Sequence, residues 1–178
     1  AMVMVDDAHG SGVLGPDGRG TPAAQGVADR VHIHLGTLSK AIGAAGGFVA
    51  GRADLVDLLC NRARSFVFDT APPPAVVGAA LEGVRIARAE PHRRAAALRA
   101  ARRLAAGLGV PEPAACVVPL IVGDPVATLE RSATLEQAGF RVVGIRPPTV
   151  PEGTARLRFT TNAAHDDELV DRLIAAAG

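Results

Sequence analysis

Ala1-Met2-Val3-Met4-Val5-Asp6-Asp7-Ala8-His9-Gly10-Ser11-Gly12 sets an apolar run directly against two carboxylates and an imidazole. Met and Val followed at once by acidic residues and glycine read as a buried strand, residues 3–5, that ends in a polar turn. Open α/β sheets bind their ligands outside the carboxyl ends of the strands, so these polar side chains emerge where a site is expected. A strand this apolar also requires neighbours on both edges and cover on both faces. Because the chain begins inside it, the expectation is a piece of a longer protein cut within its sheet.

Moving outward, residues 31–35 and 47–50 read as a second and a third strand of the same α/β layer. Between the first two lies a loop, residues 10–20, whose glycines and Pro16 argue against regular structure. Residues 52–62 have a helical pattern with Leu55, Leu58 and Leu59 on one face. Pro72-Pro73-Pro74 marks a break and a helix start. Residues 75–108 predict two helices broken near Pro91, the second with a stripe of Leu98, Ala101, Leu104, Ala105 and Leu108. The remainder alternates strand (117–122), helix (126–138), strand (141–145), strand (155–160) and helix (166–177). The domain division expected is 1–90, part of a large domain with a connecting helix, and 91–178, a small α/β domain.

Composition narrows the function classes. The 178 residues carry a formal net charge of +1, which supplies no electrostatic reason for a nucleic-acid or acidic-membrane partner. Arg94, Arg99, Arg102 and Arg103 cluster on one helix, and a solvated face accounts for them better than a phosphate partner does. Cys60 and Cys116 lack a CxxC spacing and read as small buried hydrophobes of a reducing compartment. With no membrane-length apolar run and no leader pattern, a cytoplasmic protein is expected.

Of 19 basic residues, 18 are arginine and one, Lys40, is lysine. Only lysine can shed its proton and attack a carbonyl as a free amine. Its setting, Gly36-Thr37-Leu38-Ser39-Lys40-Ala41-Ile42-Gly43-Ala44-Ala45-Gly46-Gly47, is glycine-rich and uncharged, which fits a solvated surface lysine poorly. Lys40 follows the second strand as Asp6 follows the first, which places both polar clusters at one sheet edge. Two chemistries fit. In one, the Asp and His residues, with His32 and His34, bind a metal, but this leaves Lys40 without a role. In the other, Lys40 holds an aldehyde cofactor, a carboxylate keeps its pyridine nitrogen protonated, an imidazole meets its phenolic oxygen and a hydroxyl takes its phosphate. Asp6, His9, Thr37 and Lys40 supply those groups in order, with no metal required. Strand-end capping is the bland alternative for Asp6 and Thr37.

Asp6-Asp7-Ala8-His9-Gly10-Ser11-Gly12, then Thr37-Leu38-Ser39-Lys40 and Gly46-Gly47, resembles the α-oxoamine synthases among fold-type I pyridoxal-phosphate enzymes. Ile145-Arg146-Pro147-Pro148-Thr149-Val150-Pro151-Glu152-Gly153-Thr154-Ala155-Arg156-Leu157-Arg158 is similar to the C-terminal signature of that family's 8-amino-7-oxononanoate-forming branch. The resemblance implies the C-terminal half of an α/β fold-type I transferase: part of the large parallel-sheet domain plus the small C-terminal domain. It implies pyridoxal 5'-phosphate as cofactor, with Asp6 on the pyridinium nitrogen, His9 on the phenolic oxygen, Thr37 on the phosphate and Lys40 as Schiff-base lysine and proton shuttle. Thr70 would reach the phosphate from a partner subunit, although Asp69 stands where relatives often carry a hydroxyl residue. Thr149 would lie on a substrate-side loop and Arg158 would grip the substrate carboxylate. Strand alternation puts Arg156 and Arg158 on the same face, so only the family motif selects Arg158.

The implied reaction joins L-alanine to a pimeloyl thioester, pimeloyl-CoA or pimeloyl-ACP, in biotin synthesis by a homodimer with its site at the subunit interface. The alternatives are relatives of the 2-amino-3-ketobutyrate CoA ligase or 5-aminolaevulinate synthase type, which use glycine, and a non-catalytic fragment. These 178 residues alone are expected to bind the cofactor weakly or not at all and to be inactive.

Overall fold

Met4–Asp6 (β1) pairs in parallel with Ile33–Thr37 (β2) in the computed structural model, which describes residues 1–178, and Asp6 stands opposite Leu35. The two strands therefore end at one edge. Between them run a single short helix, Thr21–Ala24 (α1), and two 3-10 turns, Pro16–Gly18 and Ala28–Arg30. Gly47–Gly51 (β3) completes the sheet in the order β1-β2-β3, but antiparallel to β2. It runs antiparallel because the chain between β2 and β3 is too short for a crossover helix and must turn straight back.

The loop of residues 10–20 is also more ordered than its glycines imply. Besides the turn at Pro16–Gly18, Ser11 and Arg19 form a β-bridge, and Gly12 and Gly20 donate their N–H groups to the carbonyls of Gly18 and Leu14, both at 2.8 Å. Backbone groups that leave the sheet thus find partners within the loop.

Ala53–Arg62 (α2) is helical as expected, but none of its residues is buried, and Leu58 is 57% exposed. Arg64–Val67 (α3) is a single turn, and Pro74–Ala89 (α4) follows the proline run. Pro91–Gly107 (α5) starts one residue beyond α4. Glu90 takes the break, at φ −120° and ψ 67°, because a residue before proline is driven out of the helical region.

The chain divides into two compact units, Ala1–Arg94 and Ala95–Gly178, with the boundary inside α5. The second unit contains Val117–Gly123 (β4), Pro125–Gln137 (α6), Val143–Ile145 (β5), Ala155–Thr160 (β6) and Asp167–Ala177 (α7). Its sheet is antiparallel in the order β4-β6-β5. Ala155, Leu157 and Phe159 of central β6 are buried, whereas Arg158 and Thr160 are exposed and Arg156 is half-buried. Leu157 and Phe159 pack with Ala100, Ala101, Leu104 and Ala105 of α5, Val118, Leu135, Val142 and Val170 into one core. The α5 stripe is shifted slightly from expectation, with Ala97 and Ala100 buried and Leu98 only half-covered.

Polar groups close both ends of this unit. Asp124 and Asp166 cap α6 and α7 by accepting from the N–H groups of Ala127 and Leu169, each at 2.8 Å. The arginine face of α5 is partly neutralised from within: Arg103 grips Asp171 with two bonds of 2.7 Å, and Arg102 meets Glu112 at 2.7 Å. The Arg103 fork holds the Asp171 carboxyl below its ordinary range. That contribution is present above the unfolded pKa and fades as pH falls through the lowered value, and water screens it because both groups are exposed.

The cysteines differ from each other. Cys60, on uncovered α2, is exposed, which corrects the expectation of a buried thiol, while Cys116 is partly buried. Burial pushes the Cys116 thiol up, and a hydrogen bond with Thr161 offsets this in part. A thiol reagent at pH 8 is expected to modify Cys60 at least about tenfold faster than Cys116, since the thiolate is the reactive form. Peptide mass mapping against time checks the order, and equal rates would contradict it.

Candidate active site

Asp6, Asp7, Ala8, His9, Gly10, Thr21 and Lys40 line one solvent-open cavity of about 490 Å³ beyond the carboxyl end of β1. Such a volume lies within the range of small-molecule sites. The first unit thus gathers a carboxylate, an imidazole and the chain's only lysine, residues far apart in sequence.

β1 delivers Asp6 as its last residue, exposed, with a carboxylate oxygen accepting from the Ala8 N–H at 3.0 Å. His9 is exposed on the turn that follows. Thr37 ends β2, and its hydroxyl oxygen lies 2.7 Å from that of Ser39, accepts from the Ser39 N–H at 3.2 Å and donates to the Gly46 carbonyl at 3.1 Å. That network fixes the turn leading to Lys40. Lys40 itself is exposed, contrary to the reading that its setting disfavours a solvated lysine. Its neighbours Ala41, Gly43, Ala44, Ala45 and Gly46 are too small to cover a four-carbon stem.

The remaining candidates lie elsewhere. Thr70 is exposed in the segment after α3, where its N–H donates to the Asp69 carboxylate at 2.9 Å, and it does not line the cavity. Thr149 and Arg158 belong to the second unit. Thr149 is exposed in the turn after β5, with its N–H on the Arg146 carbonyl at 3.1 Å and a cis Pro147–Pro148 bond just before it. On β6, Arg156 spends its Nε–H on the Thr154 carbonyl at 2.9 Å, whereas the exposed Arg158 guanidinium has no such tether. Spacing alone does not separate these two arginines, and the structure adds only this difference in their bonding.

The histidines of the metal alternative are also placed. His32 precedes β2 and accepts the Val3 N–H on Nδ1 at 3.1 Å, while His34 is half-buried within the strand.

Of the cavity wall, sequence reading assigned no role to Asp7, Ala8, Gly10 or Thr21, and Asp7 is the charged one among them. It is 6% exposed, and its carboxylate accepts from the Ser11 hydroxyl at 3.1 Å and from the Thr21 N–H at 3.1 and 3.2 Å. The available signal was the pair of glycines, Gly10 and Gly20, that flank this carboxylate, since a Cβ at either would collide with it.

The donor set fits a pyridoxal-type cofactor: an amine for its aldehyde, a carboxylate for a ring nitrogen and an imidazole for a phenolic oxygen, all on one cavity.

Comparison with known proteins agrees with this chemistry. The family model for aminotransferase class I and II matches residues 1–176. The 8-amino-7-oxononanoate synthase of Methylobacterium radiotolerans is 52% identical over 99% of this chain and 44% of its own length. The solved serine palmitoyltransferase of Sphingomonas wittichii superposes with a TM-score of 0.93 at 32% identity, over 99% of this chain and 46% of that one. A serine palmitoyltransferase of S. paucimobilis with a bound PLP–myriocin aldimine gives 0.93 at 29% identity, over 99% and 46% of the two chains. The chain spans about half the length of the curated relatives it matches. Its fold is that of the fold-type I pyridoxal-phosphate transferases, and with the match running through nearly every residue, the chain belongs to the aminotransferase class I and II family.

Proposed function

We propose that this chain is the lysine-bearing C-terminal part of a pyridoxal-phosphate-dependent acyltransferase. The full-length protein condenses L-alanine with a pimeloyl thioester, pimeloyl-CoA or pimeloyl-ACP. The alanine α-carbon forms the new C–C bond, and CO₂ and the thiol leave, giving 8-amino-7-oxononanoate for biotin synthesis. The observation that carries the reading is the single lysine sharing a cavity with Asp6 and His9. The 52% identity to the Methylobacterium radiotolerans synthase supports this choice of substrates.

When bound, the cofactor supplies an electron sink for charge that develops at the substrate α-carbon. Lys40 would hold the cofactor through its amine and would move the proton at the substrate α-carbon. Asp6 would face the ring nitrogen and favour its protonated form. His9 would hydrogen-bond the phenolic oxygen, and the hydroxyl of Thr37 would contact the phosphate. Thr70 reaches the phosphate of a partner's site in a homodimer of the cytoplasm, and Thr149 borders the acyl side. Arg158 fixes the amino-acid carboxylate through its planar fork.

Treating full-length protein with pyridoxal phosphate and then borohydride tests the core of this reading. Peptide mapping is expected to find the cofactor mass on Lys40; attachment elsewhere, or none, sinks it. A panel of alanine, glycine and serine against several acyl-CoA thioesters addresses the second reading. That reading, another α-oxoamine synthase, draws on the TM-score of 0.93 to serine palmitoyltransferase. Preference for alanine with the pimeloyl thioester is expected; preference for another pair transfers the assignment.

Arg158→Lys should raise the KM for the amino acid about 10- to 100-fold with a smaller change in kcat, because a point charge replaces a bidentate fork. Arg156→Lys should stay within about twofold, since its Nε is already committed to a backbone carbonyl. Steady-state kinetics on both variants decides which arginine holds the carboxylate.

A further inference from the structure

We propose that Asp7 is a positioning residue of this site, its buried carboxylate fixing the turn that presents Asp6 and His9 to the cavity. The inference rests on the cofactor site proposed above and adds the element that holds it in shape.

Two adjacent carboxylates leave the end of β1 in different environments, Asp6 exposed and Asp7 only 6% exposed. A buried carboxylate normally requires a cation or several donors. Asp7 has no ion-pair partner; neutral donors hold it instead, the Ser11 hydroxyl at 3.1 Å and the Thr21 N–H at 3.1 and 3.2 Å. Its own backbone completes the anchor, with its N–H on the Leu35 carbonyl at 2.8 Å and its carbonyl accepting from Gly10 at 3.0 Å and Ser11 at 2.9 Å. One residue therefore ties together β2, the turn bearing His9 and the first residue of α1.

The surrounding sequence is fitted to this carboxylate and to no larger group. A Cβ on Gly10 or Gly20 would run into its oxygens, and Gly20 has φ +95°, a conformation side chains rarely adopt. Asparagine keeps the shape of Asp7 but replaces one acceptor oxygen by an NH₂ donor. The Thr21 N–H, shared by both oxygens, cannot reverse its polarity to suit that donor. Glutamate keeps the charge but adds a methylene where the two glycines leave no room. Each substitution therefore tests a different requirement, charge with acceptor geometry or size.

The experiment uses full-length protein in two arms. In the cofactor-free state, Asp7→Asn is expected to speed amide hydrogen exchange at Gly10, Ser11 and Thr21 about tenfold or more, while β2–β3 amides keep their protection. With pyridoxal phosphate bound, the pH midpoint of its visible absorbance should shift by about half a unit or more, because Asp6 and His9 move relative to the ring. Asp7→Glu should restore neither. If Asp7→Asn does not fold, Ser11→Ala, which removes one donor, decides the matter with an exchange increase of about three- to tenfold. Unchanged exchange at these amides overturns the proposal, and so does faster exchange with an unmoved pH midpoint, which would make Asp7 a structural anchor only. Failure of the wild-type protein to fix the cofactor on Lys40 would instead overturn the proposed function, and the exchange arm still reads the anchor.

Discussion

Full-length protein carrying Lys40→Ala should lose about 10³-fold or more in turnover while remaining folded. The Lys40 side chain is exposed, and the residue's hydrogen bond, its carbonyl accepting from the Gly43 N–H at 3.1 Å, is a backbone bond that the substitution keeps, so its removal costs the fold little. The loss is chemical. The other 18 basic side chains of this kind are arginines, which do not deprotonate and cannot substitute as the amine. Lys40→Arg should be as inactive as the alanine variant, and borohydride should then leave the cofactor on no peptide of this chain. Unchanged circular dichroism together with the activity loss separates chemistry from unfolding. Activity within about tenfold of wild type would remove Lys40 from the mechanism.

The largest stability effect is expected from Phe159→Ala, about 3–5 kcal/mol. Phe159 is 2% exposed at the centre of the second unit's core, on a strand paired along both edges. Truncating it removes apolar surface and leaves a cavity that Leu104, Leu157 and Val118, all nearly fully buried, cannot refill without moving. Arg158→Ala, one position earlier but exposed, should stay within about 0.5 kcal/mol. Urea denaturation followed by circular dichroism is the suitable measurement, since the chain has no tryptophan or tyrosine to report by fluorescence. A Phe159→Ala cost under about 1 kcal/mol would show that the core does not close around this ring.

Much of the fold was legible because its signals are local. The alternation in residues 155–160 predicts Ala155–Thr160 without error, and Pro91 marks the break before α5 because proline acts on its immediate neighbour. The direction of β3 depends on the length of a connection and not on the strand's own residues, so composition alone did not reveal it. The exposure of Leu58 and Cys60 was hidden for the opposite reason: their helical pattern marks a face suited to burial, and nothing in this chain covers it. At the site, lysine's rarity singled out Lys40 and the strand end singled out Asp6. Asp7 escaped because its carboxylate is held by a hydroxyl one turn away, Ser11, and by the backbone N–H of the distant Thr21, neither of which forms a recognisable motif.

β6 serves two purposes with alternate residues: Ala155, Leu157 and Phe159 fill a core, while Arg156, Arg158 and Thr160 face outward. Since a strand has a period of two, adding or deleting one residue exchanges the faces, driving guanidinium groups inward and a phenyl ring into water. Side chains at 156, 158 and 160 can therefore be exchanged without disturbing the register of the core. Changes of length are better placed in the turn before the strand, where Glu152 and Gly153 are exposed and a side chain at Gly153 would meet nothing within 4 Å. The six residues of this strand therefore accept exchanges on the outward face far more readily than any change of length.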